Sequence, residues 1–327
     1  MGLIELPPQP DVDIATPVAV FYPTQADDRA VTRGPFTLHA SPDAVPSAGN
    51  QRLVIVSHGS GGLPWVHTDV ARALVRAGFV VAMPWHAGDN ALDSGSPGPK
   101  SWKRRPAEVG YAIDAVAADA RLAPQLQLDR VGVFGQSAGG HTALSLAGGV
   151  WSPARFLQHC EAHLSEDFNA CVGTATRLTG GWLDGFKLWL ARTILRNHFN
   201  DETPQAHHDP RIAAAVAGVP AAADFDLRTL AQPRIPLGLI TSGRDLWLTP
   251  RWHGLAVAEV CTACERVAHL SEGGHSVLLS PPPPQDKLDR ISAYLLADPP
   301  GFDRKVLPEV DQRIAAFFLR HLSPTQP

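Results

Sequence analysis

Short apolar runs that end at glycines alternate with helix-like stretches along this chain, and this alternation limits the possible fold more than any other feature. The run at 53–57 is apolar up to Ser57 and is followed by His-Gly-Ser-Gly-Gly. Such a run is typical of a β-strand that is buried on both faces. Further strands are predicted at 79–83, 131–134, 213–219, 237–241 and 267–270, with an extended segment at 17–22.

Helical stretches separate the predicted strands. Apolar residues recur at helical spacing over 70–77, where Gly78 is a natural terminator, and over 107–122. Two more helices are predicted at 140–147 and at 252–261. An alternation of strands and helices in this order predicts an α/β fold, with a mostly parallel central sheet and helices on both faces.

The strongest chemical signal is the motif Gly135-x-Ser137-x-Gly139, which lies between a predicted strand and a predicted helix. A serine on such a sharp turn has strained backbone geometry, and small flanking residues leave room for the neighbouring chain. The turn projects the hydroxyl above the carboxyl edge of the sheet, beside a helix N-terminus that favours negative charge. This context predicts that Ser137 is a nucleophile.

A serine nucleophile needs a general base and an acid that orients this base. When the serine follows a strand in this way, the order along the chain is serine, acid, histidine. His275 follows two glycines in a late loop and is the predicted base, whereas His269 lies within a predicted strand and is interpreted as structural. Asp245 follows a late strand and is the favoured acid. Asp224 and Asp226 follow the preceding strand and are its competitors.

Backbone N–H groups must stabilise the oxyanion that forms when a serine attacks a carbonyl, and each donor contributes roughly 2.7–4 kcal/mol. One donor is expected at Ala138, directly after the serine. The other is expected in the loop after the strand at 53–57, at Ser60. His58 is interpreted as a residue that braces this loop.

The strand–helix alternation stops between 149 and 210. Within this stretch, apolar side chains fall on one helical stripe, opposite charged ones. They are Trp182, Leu183, Phe186, Trp189, Leu190 and Ile194. One interpretation is a helix that packs on the body of the protein; the other is a cap whose apolar face lines an acyl pocket. Trp85, His86, Trp182, Phe186 and Trp189 are the candidate pocket walls.

Composition and charge argue against several other classes of protein. The formal net charge is −4, and 103–105 is the longest basic cluster, so no nucleic-acid partner is expected. The longest stretch of low polarity, 212–223, is shorter than the roughly 20 residues that span a bilayer, and Pro220 interrupts it. We predict no integral membrane segment.

No cofactor or metal is expected either. The sequence contains neither of the glycine-rich motifs that bind dinucleotides or triphosphates. A weak alternative is a metal centre. Its ligands would be His207, His208, Asp209 and Asp201. Adjacent side chains of an extended segment point in opposite directions, which suits one metal poorly. Cys261-x-x-Cys264 lacks a second pair of zinc ligands.

With these motifs in view, the chain resembles the α/β-hydrolase superfamily, and within it the dienelactone-hydrolase-like branch related to platelet-activating-factor acetylhydrolases. The matching pieces are Tyr22-Pro23-Thr24, Ser57 to Gly62, Gly78 to Val81, His86 to Asn90, Arg105-Pro106, Gly135 to Gly140, Asp209 to Ile212, Gly243 to Asp245 and Gly274-His275. The resemblance implies a Ser137–His275–Asp245 triad, an oxyanion hole at Ser60 and Ala138, and no cofactor.

Two features depart from that branch. Dienelactone hydrolases proper use a cysteine nucleophile where this chain has Ser137, so dienelactone activity is not predicted. The histidine that precedes the motif in the family is replaced by Gln136, which adds Gln136 to the candidate pocket residues. The expected activity is hydrolysis of small or short-chain acyl esters, with a small-molecule ester as the partner. The alternatives are an amidase or peptidase, an acyltransferase, an interfacial lipase, or a non-catalytic binding protein.

The predicted nucleophile, acid and base span 137 to 275, so a single sheet is expected to run through a single domain, 1–327. The segment 150–209 is then predicted to be an inserted cap, and 285–327 a C-terminal helical extension. Residues 1–10 lack the features of a signal peptide, which predicts a cytoplasmic protein. An exported form with its leader removed is the alternative, in which Cys160 and Cys171 could pair. No oligomeric state is predicted.

Overall fold

The computed structural model describes residues 1–8 and 16–323, and these residues form ten strands in one sheet. The strands are β1 (Gly2–Leu6), β2 (Val18–Tyr22), β3 (Arg29–Arg33), β4 (Phe36–Pro42), β5 (Leu53–Ser57), β6 (Val80–Pro84), β7 (Val131–Gln136), β8 (Ile212–Gly218), β9 (Leu237–Ser242) and β10 (Glu265–Leu270). Their order across the sheet is β10-β9-β8-β7-β5-β6-β2-β1-β4-β3.

Nine α-helices accompany the sheet within the described part of the chain. They are α1 (Thr68–Arg76), α2 (Pro99–Ala118), α3 (Ala138–Leu146), α4 (Pro153–His163), α5 (Phe168–Val172), α6 (Asp184–His198), α7 (Gly254–Val260), α8 (Arg290–Leu295) and α9 (Leu307–Leu322). No helix in these residues combines the length and the hydropathy of a membrane span.

The half of the sheet from β10 to β6 is parallel throughout. Beyond β6, β2 runs antiparallel to both β6 and β1, and β3 and β4 form an antiparallel pair. Parallel strands end at the same edge, so the loops after β5, β7, β9 and β10 meet at the carboxyl edge of the sheet. This edge is where the predicted site residues lie.

The parallel strands are buried on both faces, as their sequences predict. In β5, Leu53 and Ile55 pack with α2 and α3 in one apolar cluster, whereas Val54 and Val56 pack with α1 and α9 in the other. Successive side chains of a strand point to opposite faces, so a continuous apolar run feeds two cores at once. The prediction of a mostly parallel sheet with helices on both faces is confirmed.

The sequence did not predict three of the four N-terminal strands. β1, β3 and β4 lie at the antiparallel end of the sheet, and β3 has an alternating pattern in which only Val31 is buried. A short strand exposed on one face carries a weak apolar signal. α2 also begins earlier than expected, at Pro99 instead of 107, because its first turns are polar.

The segment 150–209 contains α4, α5 and α6 and forms a small apolar cluster of its own, in which Phe156, Phe168 and Leu195 are buried. A disulfide between Cys160 and Cys171 joins α4 to α5, and a second one joins Cys261 to Cys264. This segment is called the insertion below.

At the C-terminus, α9 packs in the layer of α1, and its Phe317 and Phe318 are fully buried. α8 and the residues before it lie at the carboxyl edge, near the loop after β10. Residues 324–327 of the predicted C-terminal extension lie outside the described residues.

Candidate active site

Ser137 occupies the turn between β7 and α3 with φ 58° and ψ −116°, in the left-handed region that only glycine adopts easily. The glycines around it are required by close backbone contacts. A Cβ on Gly139 would lie 1.9 Å from the carbonyl oxygen of Ser57, and one on Gly135 would lie 2.0 Å from that of Gly139. The motif therefore produces the strained turn that its sequence predicts.

The structure brings the predicted serine, histidine and acid into one hydrogen-bonded line. The Oγ of Ser137 lies 3.0 Å from Nε2 of His275, and Nδ1 of His275 lies 2.8 Å from Oδ2 of Asp245. The other oxygen of Asp245 accepts hydrogen bonds from the backbone N–H groups of Trp247 and Leu248, at 2.7 and 2.9 Å. These bonds hold the carboxylate in place, which in turn orients the imidazole.

The two competing acids lie elsewhere. Asp224 is hydrogen-bonded to Nε2 of the buried His141 at 2.9 Å. Asp226 forms ion pairs with Arg155 and Arg228. Neither contacts His275, so the geometry favours Asp245 as the partner of that histidine.

Gln136, at the end of β7, donates a hydrogen bond from its side chain to the backbone carbonyl of His275 at 2.7 Å. It also lines a cavity that reaches Ser137. Trp247 packs its ring on His275, with ring centroids 5.0 Å apart. His269, interpreted as structural, hydrogen-bonds through Nδ1 to Thr241 within the sheet.

The loop after β5 is held by a buried ion pair. Arg105 on α2 is fully buried and donates to a carboxylate oxygen of Asp89 at 2.9 Å, and also to the backbone carbonyl of His58. The other oxygen of Asp89 accepts from the hydroxyl of Ser60 at 2.5 Å and from the N–H of Gly61 at 3.1 Å. The pair thus holds three residues of this loop, His58, Ser60 and Gly61, beside Ser137.

The charge state of this pair follows from its contacts. Burial opposes ionisation of Asp89, but the Arg105 guanidinium and the Ser60 hydroxyl outweigh it and hold the pKa of Asp89 below its ordinary value. Burial also lowers the pKa of Arg105. Both groups are charged at neutral pH, and together they form a rigid support beneath the loop.

A second buried array lies behind the same loop. Ser57 Oγ is 2.8 Å from Nε2 of His86, and Nδ1 of His86 is 2.6 Å from a carboxyl oxygen of Glu108. Burial raises the pKa of Glu108 to about 7 and lowers that of His86. His86 has no exposed surface, so its assignment as a pocket wall was wrong: it supports the loop from inside.

Two cavities meet at Ser137. The larger one, of about 620 Å³, lies between the loop after β5 and the chain that precedes α8. Its lining includes His275, Gln136, Pro283, Pro284 and Leu288. We call it the proline cavity.

The second cavity, of about 380 Å³, lies between the insertion and the sheet. Apolar and aromatic side chains dominate its lining, among them Trp102, Phe156 and Phe199. Ala138 and Asp224 also line it. We call it the insertion cavity. Ser137, Ser60 and Trp247 belong to both linings, so Trp247 stands between the two spaces.

Besides His86, four candidate pocket walls lie outside both linings. Phe186 and Trp189 are 58% and 59% exposed on the outer face of α6, and Trp182, in the turn before this helix, is 90% exposed. Trp85 packs beside Trp65 at the edge of the core. The buried residues of α6 are Ala191 and Leu195, and of the predicted stripe only Ile194 lines the insertion cavity. The stripe from Phe186 onward is thus helical as predicted, but its aromatic side chains face outward. Tertiary packing decides which face is buried, and the pattern by itself does not.

One cluster among the described residues has the composition of a metal site: His159, Asp167 and His253, with ligand atoms within 4.8 Å of one another. The N–H of Ala222 donates to Nδ1 of His253, so the ring proton is on Nε2 and is directed at Asp167, 2.9 Å away. A protonated nitrogen cannot bind a metal. The cluster is thus a hydrogen-bonded link between the insertion and the loop after Asp245.

The predicted alternative metal ligands are engaged in ion pairs. Asp201 pairs with Lys103, and Asp209 pairs with Arg211.

Sequence reasoning assigned no role to Asp89, Arg105, Glu108 or Trp247. Asp89 and Arg105 lie within the motifs shared with the resembled family, so a signal was present, but their pairing is visible only in three dimensions. Trp247 follows the acid by two residues and carries no signal of its own.

No protein-family model matches the sequence, and no curated protein matches it. Among solved structures, the chain is similar to a ferulic acid esterase from Streptomyces cinnamoneus, with a TM-score of 0.61 and 16% identity. The match covers 100% of this chain and 92% of the esterase chain. A likeness at this identity concerns the fold, and the α/β-hydrolase fold expected from the sequence is confirmed.

Proposed function

We propose that the protein is a serine carboxylic-ester hydrolase that acts through an acyl-enzyme. The observation that carries the proposal is the hydrogen-bonded line from Ser137 through His275 to Asp245, at the junction of two cavities. The resemblance to the dienelactone-hydrolase-like branch favours small or short-chain acyl esters. The similarity in fold to a ferulic acid esterase is consistent with ester hydrolysis.

In the acylation step, the hydroxyl of Ser137 transfers its proton to Nε2 of His275 as its oxygen bonds to the ester carbonyl carbon. Asp245 accepts from Nδ1–H, which fixes the tautomer and stabilises the imidazolium. The tetrahedral intermediate then breaks its bond to the alcohol oxygen, and the alcohol leaves with the proton from Nε2.

In the deacylation step, a water molecule gives its proton to Nε2 of His275 and attacks the acyl-enzyme carbonyl. Collapse of the second intermediate breaks the bond to Ser137, which recovers its proton from His275, and releases the acid. The N–H groups of Ala138 and Ser60 are the proposed oxyanion donors. Ala138 begins α3, so the helix N-terminus adds to this stabilisation.

The central experiment compares wild type with Ser137→Ala on p-nitrophenyl acetate and p-nitrophenyl butyrate. The variant should lose several orders of magnitude in kcat and retain its Tm, because the hydroxyl contributes chemistry and little packing. An unchanged rate would disprove the proposal. Asp245→Asn should be severely impaired, and if Asp224→Asn is the inactive variant instead, the acid has been assigned wrongly.

The same residues could cleave an amide or transfer the acyl group to another nucleophile. Rates on p-nitrophenyl esters and matched anilides, with and without a competing alcohol, separate these reactions. A non-catalytic binding protein would fail to react with a fluorophosphonate probe, whereas a competent Ser137 should be labelled.

A second candidate function is that of a lipase acting at lipid–water interfaces, because α6 exposes a continuous apolar face. Phe186 and Trp189 form this face, with stacked rings whose centroids are 5.7 Å apart, and the exposed Trp182 lies in the turn before the helix. Exposed aromatic patches of this kind mark interaction surfaces. The activity of such a lipase would rise sharply once tributyrin exceeds its solubility limit, whereas a plain esterase would level off there.

We further propose that the protein works in an oxidising compartment. All four cysteines are paired, and disulfides persist chiefly in exported proteins. Mass spectrometry of the native protein after alkylation without reductant should find no labelled cysteine. Four labelled cysteines would instead support the cytoplasmic location predicted from the sequence.

A further inference from the structure

The two cavities at Ser137 differ in which catalytic group they contain. The proline cavity is lined by His275 and lacks Ala138, whereas the insertion cavity is lined by Ala138 and lacks His275. An ester places its acyl chain on one side of the carbonyl carbon and its alcohol on the other. The site therefore offers one space for each part.

Proton transfer decides which part enters which space. The alcohol oxygen must receive its proton from Nε2 of His275, so this oxygen has to lie within hydrogen-bond distance of that nitrogen. Only the proline cavity contains His275. The acyl chain, which receives no proton, is left with the insertion cavity.

The lining of the insertion cavity indicates the chemistry of the acyl chain. Trp102, Phe156 and Phe199 provide an aromatic surface, which favours an aromatic group. Asp224 is the one carboxylate in this lining, whose other polar side chains are Ser60, Ser137 and His253. One of its oxygens accepts from His141, and no described residue donates to the other. A buried carboxylate oxygen is strongly stabilised by a donor, which a substrate hydroxyl would supply.

We propose that the insertion cavity binds the acyl part of the ester, and that this acyl part is an aryl acid whose hydroxyl donates to Asp224. The alcohol part then occupies the proline cavity. The inference rests on the proposed ester hydrolysis, and it assigns an aryl acid as the acyl part in place of the short acyl chain that the family resemblance favours. A short acyl chain such as acetyl would leave most of the 380 Å³ unfilled.

The hydroxyl contact is tested with methyl 3-(4-hydroxyphenyl)propanoate and its 4-methoxy and unsubstituted counterparts. Wild type should prefer the hydroxylated ester by about 10- to 100-fold in kcat/KM, the range for a hydrogen bond to a charged group. Asp224→Asn can still accept from His141 but presents an amide N–H to the cavity. In this variant, kcat/KM for the hydroxylated ester should therefore be within about threefold of kcat/KM for the methoxy and unsubstituted esters.

Asp226→Asn is the matched control, because Asp226 lies two residues away, has the same chemistry and lines neither cavity. The preference of Asp226→Asn for the hydroxylated ester should equal that of wild type. If wild type shows no preference for the hydroxylated ester, or if Asp224→Asn keeps it, the assignment of Asp224 is overturned.

The placement of the two ester parts is tested by narrowing each cavity. Ala223→Leu narrows the insertion cavity, and Ser292→Leu narrows the proline cavity. Ala223→Leu should lower kcat/KM for methyl 3-phenylpropanoate at least tenfold more than kcat/KM for 2-naphthyl acetate. Ser292→Leu should lower kcat/KM for 2-naphthyl acetate at least tenfold more than kcat/KM for methyl 3-phenylpropanoate. If Ala223→Leu fails to fold, Ala223→Val gives the same comparison with a smaller side chain.

The opposite pattern would overturn the placement while leaving ester hydrolysis intact. Failure of the proposed function is distinguishable, because wild type would then hydrolyse none of the esters, p-nitrophenyl acetate included. If Ser137→Ala abolishes turnover of p-nitrophenyl acetate, the proposed function stands, and the two narrowing variants test the placement alone.

Discussion

The buried pair Asp89–Arg105 allows the loop after β5 to be loosened without changing any residue of the proposed triad or either proposed oxyanion donor. The perturbation is Asp89→Asn. It keeps the size of the side chain but removes the negative charge that balances Arg105. It also leaves one acceptor oxygen for three donors: the guanidinium, the Ser60 hydroxyl and the Gly61 N–H.

The magnitude follows from burial. Arg105 and Asp89 have side-chain exposures of 0% and 1%, so the variant leaves an unbalanced charge in the interior. Removing one partner of a buried pair costs about 3–5 kcal/mol, out of a total stability of about 5–15 kcal/mol. If Ser60 N–H is the oxyanion donor proposed above, its complete loss would lower kcat by about 10²- to 10³-fold, which sets the upper limit of the effect. Partial displacement of this N–H should lower kcat about tenfold or more.

The assay measures kcat and KM on p-nitrophenyl acetate, together with urea unfolding of each variant. An oxyanion donor acts on the transition state, so kcat should fall while KM changes little. Ser60→Ala should have a smaller effect of the same kind, because it retains the backbone N–H and deletes one tether to Asp89.

Asp129→Asn is the control. It also removes an acid paired with a buried arginine, Arg52, but Asp129 is 71% exposed and water replaces the lost contact. The free energy of unfolding of Asp129→Asn should differ from that of wild type by no more than about 1 kcal/mol, and its kcat should be unchanged. The reasoning would be refuted if folded Asp89→Asn retained the kcat of wild type, since the pair would then support the fold alone.

Three further predictions follow from other contacts. Burial raises the pKa of Glu108 from 4.5 to about 7. Between these two pH values the folded protein holds a proton that the unfolded chain has lost, so the free energy of unfolding falls as pH rises from 4.5 to about 7. Glu108→Gln is always neutral and should remove this slope from a Tm series between pH 4.5 and 8. Changing Cys160 and Cys171 to serine should cost about 3 kcal/mol in urea unfolding, because the cross-link restricts the unfolded chain; a loss near zero would refute this estimate. Gly139→Ala should lose at least 1–3 kcal/mol, because its Cβ would collide with the backbone of Ser57, and a wild-type Tm would show that the turn can relax.

The parallel strands could be predicted because their apolar runs are dense enough to require burial on both faces. The same reasoning found the turn at Ser137, since glycines on both sides of a serine after a buried strand satisfy a specific steric demand. It missed β1, β3 and β4, whose alternating or short patterns resemble those of loops.

Chain order was enough to select Asp245 and His275, because the loops of parallel strands converge at one edge. Chain order could not decide between Asp245 and Asp224 as the acid, because both residues follow strands. Both are also buried in the structure. The contact with His275 in one case and His141 in the other makes the distinction.

By itself, the sequence determined the fold class and the strained turn at Ser137, because steric and burial requirements of this kind act between near neighbours along the chain. Only the tertiary structure decided which acid contacts His275, which face of α6 is buried, which side chains line the two cavities, and that Asp89 and Arg105 support the loop after β5. Those features depend on contacts between segments far apart in sequence. An amphipathic stripe or a lone charged residue is compatible with many partners until the packing selects one.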